Sequence, residues 1–328
     1  MIIQRQDGQI MARFLKIAIT GASGMLGSAI LDCLDDGHSI FATSRTTGYR
    51  RPGVQWRQFD LLDKEKLTRW LIEIKPDVVI HCAAIINVDS CERESILAEA
   101  LHVGSTAVIN DTIADWNGRL IYISTDSIFD GKQETPYQEE DPPNPLNVYG
   151  RTKHRGELAV LKNPDSLVLR TNIFGWSQAE RISFAEWILK GLVEKLHLTM
   201  FADVSFTPIH VSHVAEVICK ILSSNITGLF HLTGNSILSK YDFTLKMASI
   251  FGLSAENVTS SSINDVHLIA PRPKNMALAN HKLCTALDYQ LPTIDDGIKK
   301  LKAQYDNGWL AKIKHRAVKP GYVFWERK

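Results

Sequence analysis

The chain has 328 residues, which suits one large α/β unit or two closely joined domains. Hydrophobic residues make up 45% of it and charged residues 22%, which is the composition of an ordinary globular protein. The formal net charge is only +1, so no global field favours nucleic acid or an anionic membrane as a partner, and any anionic ligand must be held by a few local charges.

Cysteine usage and the start of the chain predict a cytoplasmic protein. The 5 cysteines are odd in number and contain no Cys-x-x-Cys pair, so we expect reduced thiols rather than disulfides or a zinc site. No other cluster has metal-ligand spacing, and no metal site is predicted. No apolar run reaches membrane-spanning length. Residues 1–13 lack the apolar core of a signal peptide, and we interpret them as an N-terminal extension.

The first predicted element is a strand that ends in a glycine-rich turn. An apolar run at 14–19 precedes glycines at 21, 24 and 27, and an apolar helical pattern continues through Leu31 and Leu34. Such glycines let a diphosphate approach the backbone, and the helix N-terminus offers it free N–H groups and a positive dipole end. This context predicts a dinucleotide site rather than a purely structural turn, with contacts from Gly21, Ser23, Gly24, Met25, Leu26 and Gly27.

The elements that follow alternate between strand and helix. We predict strands at 38–43, 54–59, 77–83, 119–124 and 166–170, and helices at 64–74 and 90–115. The run at 77–83 is almost entirely apolar, as in a strand that is buried on both faces. Repeated βα alternation predicts an α/β fold with a Rossmann-like, doubly wound parallel sheet, and 14–174 is the predicted NAD(P)-binding domain.

The pattern loosens after about residue 174. The segment 206–234 contains two strands around a helix, and we expect it to return to the dinucleotide-binding domain. The segments 175–205 and 235–310 are predicted to form a smaller, mostly C-terminal α/β substrate-binding domain, with 236–310 mostly helical. The basic stretch 311–328 is interpreted as a tail that is partly ordered or that contacts a second subunit in a homodimer.

A Tyr–Lys pair at helical spacing is the second feature that indicates chemistry. Tyr149 and Lys153 are four residues apart and therefore lie on one face of a helix. A phenol normally titrates at about pH 10, and a neighbouring ammonium is expected to lower the pKa of Tyr149 so that it can act as a general acid or base. The alternative is an exposed helix face with a solvated lysine.

Hydroxyl residues at the end of the predicted strand 119–124 favour the catalytic interpretation. Open α/β sheets bind ligands at the carboxyl ends of their strands, where a hydroxyl can donate to a carbonyl oxygen and stabilise its developing charge. We assign this role to Thr125, with Ser124 as the close competitor. Asp126 is interpreted as a turn-forming residue.

The glycine loop, Thr125, Tyr149 and Lys153 together resemble those of an extended short-chain dehydrogenase/reductase. The closer resemblance, over about 14–285, is to the dTDP-4-dehydrorhamnose reductases and to the related beta subunit of methionine adenosyltransferase. The motifs that carry it are His81-Cys82-Ala83-Ala84 with Val88-Asp89, Ser124-Thr125-Asp126-Ser127-Ile128-Phe129-Asp130-Gly131, Tyr137-x-Glu139-x-Asp141, Pro145-x-x-x-Tyr149-Gly150-x-x-Lys153, Leu169-Arg170-Thr171 and Arg272-Pro273-x-Asn275.

The resemblance implies that NAD(P)H reduces a nucleotide-linked 4-keto-6-deoxysugar. In this reaction Tyr149 protonates the ketone oxygen, Thr125 hydrogen-bonds to it, and Lys153 also holds the nicotinamide ribose. Ser127 stands where the reductases usually have tyrosine, which leaves the exact sugar open. Nucleotide-sugar 4,6-dehydratases place glutamate at that position, so elimination is disfavoured. Two alternatives stay open: an epimerase that retains NAD, and a non-catalytic, NADP-binding regulatory subunit of a synthetase.

The cofactor preference is predicted from charge. NAD-selective sites place a carboxylate at the end of the second strand to bind the ribose 2′-hydroxyl, whereas this chain has Ser44 and Arg45 there. These residues are suited to a 2′-phosphate, so we predict NADP(H) in preference to NAD(H), the alternative being a solvated surface arginine. The resemblance further implies adenine contacts from Asp60 and Leu61 and close backbone approach at Ala83 and Ala84.

Substrate contacts are assigned to Ser127, Asn172, Trp176 and Arg272. The resemblance places Asn172 where relatives bind substrate, and the Arg272 guanidinium suits bidentate neutralisation of a diphosphate. Both residues have the alternative of an ordinary capping or surface role. Trp176 is suited either to stack on a sugar or to fill the core.

Overall fold

The structure, a computed structural model, describes residues 14–46, 51–177 and 182–309. The predicted extension (1–13) and basic tail (311–328) lie outside these ranges. None of the helices within them is both long enough and apolar enough to cross a membrane. Within the same ranges, no group of three or more His, Cys, Asp and Glu side chains is placed to hold a metal ion.

Strands and helices alternate through the first half of the chain and the strands become short in the second half. The strands are β1 (Lys16–Thr20), β2 (Ser39–Ser44), β3 (Gln55–Gln58), β4 (Val78–His81), β5 (Arg119–Thr125), β6 (Leu167–Thr171), β7 (Ile173–Phe174), β8 (Leu198–Phe201), β9 (Ser205–Phe206), β10 (Ile209–His210), β11 (Gly228–His231), β12 (Leu238–Ser239), β13 (Val258–Ser261) and β14 (Asn275–Met276). The α-helices are α1 (Met25–Cys33), α2 (Lys64–Ile74), α3 (Val88–Arg93), α4 (Ser95–Glu99), α5 (Ser105–Ala114), α6 (Val148–Val160), α7 (Phe184–Val193), α8 (Val211–Leu222), α9 (Lys240–Phe251), α10 (His281–Leu287) and α11 (Ile294–Asp306).

The main sheet has 7 strands in the order β11-β6-β5-β4-β1-β2-β3. Each pair is parallel, and the register places Thr20 beside His81 and Thr125 beside Thr171. The order runs outward from β1 in both directions, which is the doubly wound topology of a Rossmann-like fold. The predicted fold class is therefore confirmed, and β11 brings the segment around 228–231 back to the edge of this sheet.

Helices cover both faces of the sheet. On one face, α1 and α8 pack together over the apolar side chains of β1 and β2. On the other face lie α2, α5 and α6. Helix α2 packs against the sheet through one apolar stripe. Its buried residues recur at three- and four-residue intervals and are Leu67, Trp70, Leu71 and Ile74. Burial of each such large side chain contributes about 1.5–3 kcal/mol.

A second apolar core joins α7, α9 and α11 with small groups of strands. These groups are β10 with β7, β13 with β8, and the three-stranded set β12-β9-β14. The prediction that 236–310 is mostly helical is wrong in part, because β12, β13 and β14 lie inside it. Strands of two to four residues are too short to show a period in the sequence.

The segment predicted as one helix at 90–115 is interrupted. It forms α3, α4, a π-helical turn over Ala100–Gly104, and α5. The π turn contains His102, whose Nε2 accepts from the amide of Ile85 at 2.9 Å and whose Nδ1 lies 2.8 Å from the hydroxyl of Thr152. These two contacts reach outside the helix, so tertiary structure rather than local propensity determines the irregular turn.

The interior histidine His210 makes the fold sensitive to acid. It caps α8, where its Nδ1 accepts from the amide of Ser212 at 3.3 Å. Burial lowers the pKa of His210 to about 3. Because this value lies below that of an unfolded histidine, about 6.5, the unfolded chain takes up the proton first and stability is lost as the pH falls from about 6.5 to about 3.

We expect His210→Asn, which retains a capping acceptor, to reduce the slope of unfolding free energy against pH by about 1.4 kcal/mol per pH unit between roughly pH 4 and 6. Urea unfolding followed by circular dichroism at stepped pH measures this slope. The matched control is His267→Asn, since His267 is exposed and should leave the slope unchanged. An unchanged slope in the His210 variant would contradict the argument.

Candidate active site

The predicted glycine loop is packed tightly at the end of β1. Gly21 has a φ of +65°, and a Cβ on it would lie 2.7 Å from the backbone nitrogen of Ala83, just after β4. A Cβ on Gly27 would lie 2.5 Å from the carbonyl oxygen of Gly21. The amide of Gly24 donates to that same oxygen at 2.9 Å. Positions 21 and 27 therefore require glycine.

Helix α1 begins in this loop with its first turn open to a ligand. Its N-cap, Gly24, offers no side-chain hydrogen bond, and the first turn, which includes Met25 and Leu26, carries no acidic residue. The unpaired N–H groups and the positive end of the helix dipole favour an anion. Ser23 lies beside them, its hydroxyl oxygen 3.5 Å from that of Thr46. This arrangement fits the diphosphate of a dinucleotide.

Ser44 ends β2 and Arg45 follows it, but the two side chains differ in whether they are free to bind a ligand. The Ser44 hydroxyl donates to the carbonyl oxygen of Thr46 at 2.6 Å and is buried, so its proton is not free to bind a phosphate as expected. The Arg45 side chain is exposed, and its guanidinium has no hydrogen bond or ion pair to a described residue. Arg45 is therefore the charge at this edge that a ligand can reach.

The other expected cofactor contacts, Asp60, Leu61, Ala83 and Ala84, follow β3 and β4 at the same edge of the sheet. Oδ1 of Asp60 accepts from the amide of Leu62 at 3.0 Å, which fixes the turn after β3. Leu61 is buried in the core, so any contact from it must come from its backbone. Ala83 lies directly against the glycine loop, and both alanines are partly buried.

Thr125 and Tyr149 meet at the carboxyl end of β5. Burial raises the pKa of the Tyr149 phenol, and the neighbouring Thr125 hydroxyl lowers it. The Thr125 hydroxyl accepts from the amide of Ser127 at 3.1 Å. The competing hydroxyl of Ser124 points into the interior, where it donates to Glu157 at 2.5 Å. Thr125, rather than Ser124, therefore faces the phenol.

Lys153 lies one helical turn after Tyr149, with its ammonium directed toward the sheet. Its Nζ donates to the carbonyl oxygen of Ile123 at 2.6 Å and lies 4.0 Å from the centroid of the Tyr122 ring. The Lys153 side chain is buried, which excludes the alternative of a solvated lysine on an exposed helix face.

Two residues determine how closely α6 approaches the end of β5. Asn147 is the N-cap, and its side chain accepts from the amide of Gly150 at 2.9 Å while donating to the carbonyl oxygen of Pro271 at 2.8 Å. A Cβ on Gly150 would collide with the carbonyl oxygen of Ser127. The glycine that follows Tyr149 is therefore what allows the phenol to reach Thr125.

The expected effect of Lys153 on Tyr149 is not what the structure shows. Burial raises the pKa of Tyr149, and the negative charge of Asp126 adds to this, while the neighbouring Thr125 hydroxyl acts in the opposite direction. Burial also lowers the pKa of Lys153 to about 7. The effect of desolvation on the pKa of Tyr149 thus outweighs that of the Lys153 ammonium, because this ammonium points toward Ile123. Tyr149 keeps its proton at neutral pH, which is the state that a proton donor needs.

A buried ion pair behind Lys153 was missed at the sequence level. Arg170 on β6 donates to Glu157 on α6 through Nε at 3.0 Å and Nη2 at 2.8 Å, and the two side chains are 3% and 1% exposed. The Glu157 carboxylate raises the pKa of Lys153, against the larger effect of burial. The available signal was an arginine in the apolar run 166–170, because a buried charge requires a partner.

Asp126 is more than the turn-forming residue that was expected. Its carboxylate is buried and receives hydrogen bonds from the hydroxyls of Thr125 at 3.1 Å and Ser127 at 3.2 Å, and from the side-chain amide of Asn172. Burial raises the pKa of Asp126. Ser127 and Asn172, two of the four expected substrate contacts, therefore converge on one carboxylate beside Thr125.

The other two expected substrate contacts are already engaged. Trp176 is 1% exposed, and its indole nitrogen donates to the carbonyl oxygen of Leu301 at 3.3 Å. The prediction that it stacks on a sugar is wrong, because the ring fills the second core. Arg272 forms an ion pair with Asp89 at 2.8 Å, so its guanidinium is not a free diphosphate ligand.

The parallel sheet, the open glycine loop and the Thr–Tyr–Lys arrangement at the strand ends define a Rossmann-fold protein of the short-chain dehydrogenase/reductase class. The chain belongs to the family described as the RmlD substrate binding domain, whose model matches residues 15–307. This family assignment confirms the resemblance that the sequence motifs indicate.

Named relatives agree with this assignment. The probable low-salt glycan biosynthesis reductase Agl14 of Haloferax volcanii is 30% identical over 296 residues, which cover 88% of this chain and 98% of the relative. Methionine adenosyltransferase 2 subunit beta of Mus musculus is 34% identical over 312 residues, which cover 87% and 86%. A dTDP-4-dehydrorhamnose reductase from Bacillus anthracis, solved in complex with NADP, shows the same fold with a TM-score of 0.78 at 23% identity, covering 89% and 100%.

We expect Gly21→Ala to lower the free energy of unfolding more than Gly53→Ala. Both glycines have positive φ, +65° and +81°, so both variants share a strain of about 1–2 kcal/mol. Only Gly21 adds a collision, about 1–3 kcal/mol more, since a Cβ on Gly53 has nothing within 4 Å. Urea titration measures the difference, and equal losses would show that the loop is not packed against β4.

The Glu157–Arg170 pair gives a second stability prediction. Glu157→Gln leaves a buried guanidinium without its carboxylate and should lower the free energy of unfolding by about 3–5 kcal/mol. Adding Arg170→Met should restore part of that loss, because it removes the unpaired buried charge. Urea unfolding of both single variants and the double variant measures the coupling. Strictly additive losses would mean that the two side chains do not interact in the folded state.

Proposed function

We propose that this protein is an NADPH-dependent reductase of a nucleotide-linked 4-keto-6-deoxysugar, with Tyr149 as the proton donor. The observation that carries the proposal is the placement of Tyr149, on α6, beside the Thr125 hydroxyl at the carboxyl end of β5. Membership of the RmlD family and the similarity to a reductase of Haloferax volcanii support a sugar-nucleotide oxidoreductase. The identity of the sugar, a 4-keto-6-deoxysugar, is itself part of the proposal.

The cofactor would be held by the glycine loop and the first turn of α1, where the N-cap Gly24 has no side-chain cap and no acidic residue opposes a diphosphate. Arg45 would pair with the 2′-phosphate of NADPH. The bound nicotinamide supplies a hydride to the ketone carbon. The protein's own contribution is orientation, exclusion of water and delivery of a proton.

Tyr149 and Thr125 are suited to act on the ketone oxygen. The protonated phenol of Tyr149 would give its proton to this oxygen. The Thr125 hydroxyl, which donates to Asp126 at 3.1 Å, would turn from that carboxylate to donate to the ketone oxygen and stabilise its developing charge. Loss of the proton leaves a phenolate, which favours the charged form of the nearby Lys153. Because the pKa of Lys153 is about 7, a small change in local charge is enough to shift its protonation at neutral pH.

Reduction fits the acid–base groups better than dehydration does. Elimination of water from a sugar needs a base and an acid on adjacent carbons, and the chain provides only the carboxylate of Asp126 next to Thr125. The next residue, Ser127, donates its hydroxyl to that carboxylate at 3.2 Å. The second proton-transfer group of a dehydratase is therefore missing at this position.

A second candidate is a regulatory subunit without turnover. It is favoured by the 34% identity to methionine adenosyltransferase 2 subunit beta over 87% of this chain. The arrangement of Thr125, Tyr149 and Lys153 would then hold NADP without chemistry. Co-purification with a synthetase, together with no oxidation of NADPH by any keto-sugar, would favour this candidate over the reductase.

We expect Tyr149→Phe to lower kcat/KM for the keto-sugar by about 10²–10⁴-fold, because the variant keeps the ring but lacks the transferable proton. The assay follows NADPH oxidation against a panel of nucleotide 4-keto-sugars. Tyr289→Phe is the control, since the Tyr289 ring packs against Lys220 and the core beneath α1 and α8. A loss of only a few-fold in Tyr149→Phe would remove Tyr149 as the proton donor.

Cofactor preference is tested separately. We expect kcat/KM to be at least about tenfold higher with NADPH than with NADH, since one charge-assisted pair to a phosphate contributes about 1.5–3 kcal/mol. Arg45→Ala should reduce this ratio by about tenfold or more. Arg57→Ala is the matched control, because Arg57 lies on the neighbouring strand β3 and pairs with Glu73 at 2.5 Å. A ratio that Arg45→Ala leaves unchanged would reject the assignment.

A further inference from the structure

Lys240, the first residue of α9, packs its side chain against aromatic rings rather than against a carboxylate of the described residues. Its Nζ lies 3.2 Å from the centroid of the Phe206 ring and 5.0 Å from that of Phe184. The side chain is partly buried, and its ammonium has no hydrogen bond or ion pair to any residue that the structure describes. The two rings shield the ammonium from water but offer it no oxygen.

The position of Lys240 is unfavourable for a cation in the free protein. The first turn of a helix carries the positive end of the helix dipole, and burial lowers the pKa of Lys240 to about 7. The nearest carboxylate on the helix, Asp242, is occupied in a capping box, where it accepts from the Ser239 hydroxyl at 2.7 Å. Since no oxygen of the described residues accepts a hydrogen bond from the Lys240 ammonium, an anionic oxygen of a ligand would be a favourable partner for it.

An electrostatic interaction connects Lys240 with the proposed reaction site. Burial lowers the pKa of Lys240, and the carboxylate of Asp126 raises it. Asp126 in turn is hydrogen-bonded to Thr125, Ser127 and Asn172. Beside Lys240, Phe184 is an exposed ring stacked with Trp187, their centroids 6.2 Å apart.

We propose that Lys240 binds an anionic oxygen of the substrate, from either the diphosphate or a carboxylate on the sugar, and so selects for it. This rests on the proposed function in so far as the substrate is a nucleotide sugar. A phosphate or carboxylate oxygen would accept a charge-assisted hydrogen bond from Nζ in a site where water is largely excluded. The aromatic rings would hold the ammonium in place for that contact.

The test measures binding rather than turnover. Isothermal titration of the NADPH-loaded protein would use UDP, dTDP, UDP-glucose and UDP-glucuronate as probes. Lys240→Met should weaken binding of the recognised anion by about 10- to 100-fold, and Lys240→Arg should retain most of it. Lys246→Met is the matched control, because Lys246 lies on the same helix, is exposed, and pairs with Asp295 at 2.7 Å.

The four probes distinguish the two anions. An equal loss for UDP and its sugar conjugates assigns Lys240 to the diphosphate, whereas a loss confined to UDP-glucuronate assigns it to a sugar carboxylate. Unchanged binding of every probe by Lys240→Met, or no binding of any probe by the parent protein, overturns the proposal. A loss of binding in a protein that reduces no keto-sugar would leave the anion site standing and reject only the reductase function.

Discussion

The close approach of α6 to the carboxyl end of β5 is the contact on which the site depends. It requires glycine at position 150, where a side chain would meet the carbonyl oxygen of Ser127. The N-cap Asn147 fixes the start of the helix and ties it to the C-terminal part of the chain through Pro271. With the helix in this position, the hydroxyl of Tyr149 reaches that of Thr125.

The far end of the same helix is held by charge as well as by close packing at Gly156. Glu157 is joined to Arg170 on β6 and to Ser124 on β5, so α6 is connected to two neighbouring strands of the sheet. Between these two ends lies Lys153, whose ammonium is buried against Tyr122. One helix thereby presents a phenol to the cleft and keeps a titratable cation beneath it.

Three ionisable groups around the site, Asp126, Lys153 and Lys240, form no ion pair with any residue that the structure describes. Asp126 is buried with a raised pKa, and the pKa values of Lys153 and Lys240 are both lowered to about 7 by burial. Such groups are unfavourable for stability and favourable for recognition, because a ligand can supply the missing partner in a medium of low dielectric constant. This is a physical reason to expect an anionic, polar substrate here.

Features with a local signature could be predicted from the sequence. The glycine loop, the apolar strand β4 and the i, i+4 spacing of Tyr149 and Lys153 each depend on residues that are close in the chain, and the fold class follows from their repetition. The helix over 90–115 was predicted too simply, because its π turn is stabilised by the contacts of His102 with Ile85 and Thr152. The short strands β12, β13 and β14 had too few residues to show a period.

The doubly wound parallel sheet, the dinucleotide loop and the identity of the residues at the strand ends can be read from neighbouring residues, since backbone propensity and apolar periodicity are local properties. Which side chains are free to act depends on the packing of the folded chain. Trp176 is enclosed by the second core, Arg272 is paired with Asp89, and Asn172 is directed to Asp126. The physical reason is that burial and pairing depend on partners distant in the chain, which no local pattern specifies.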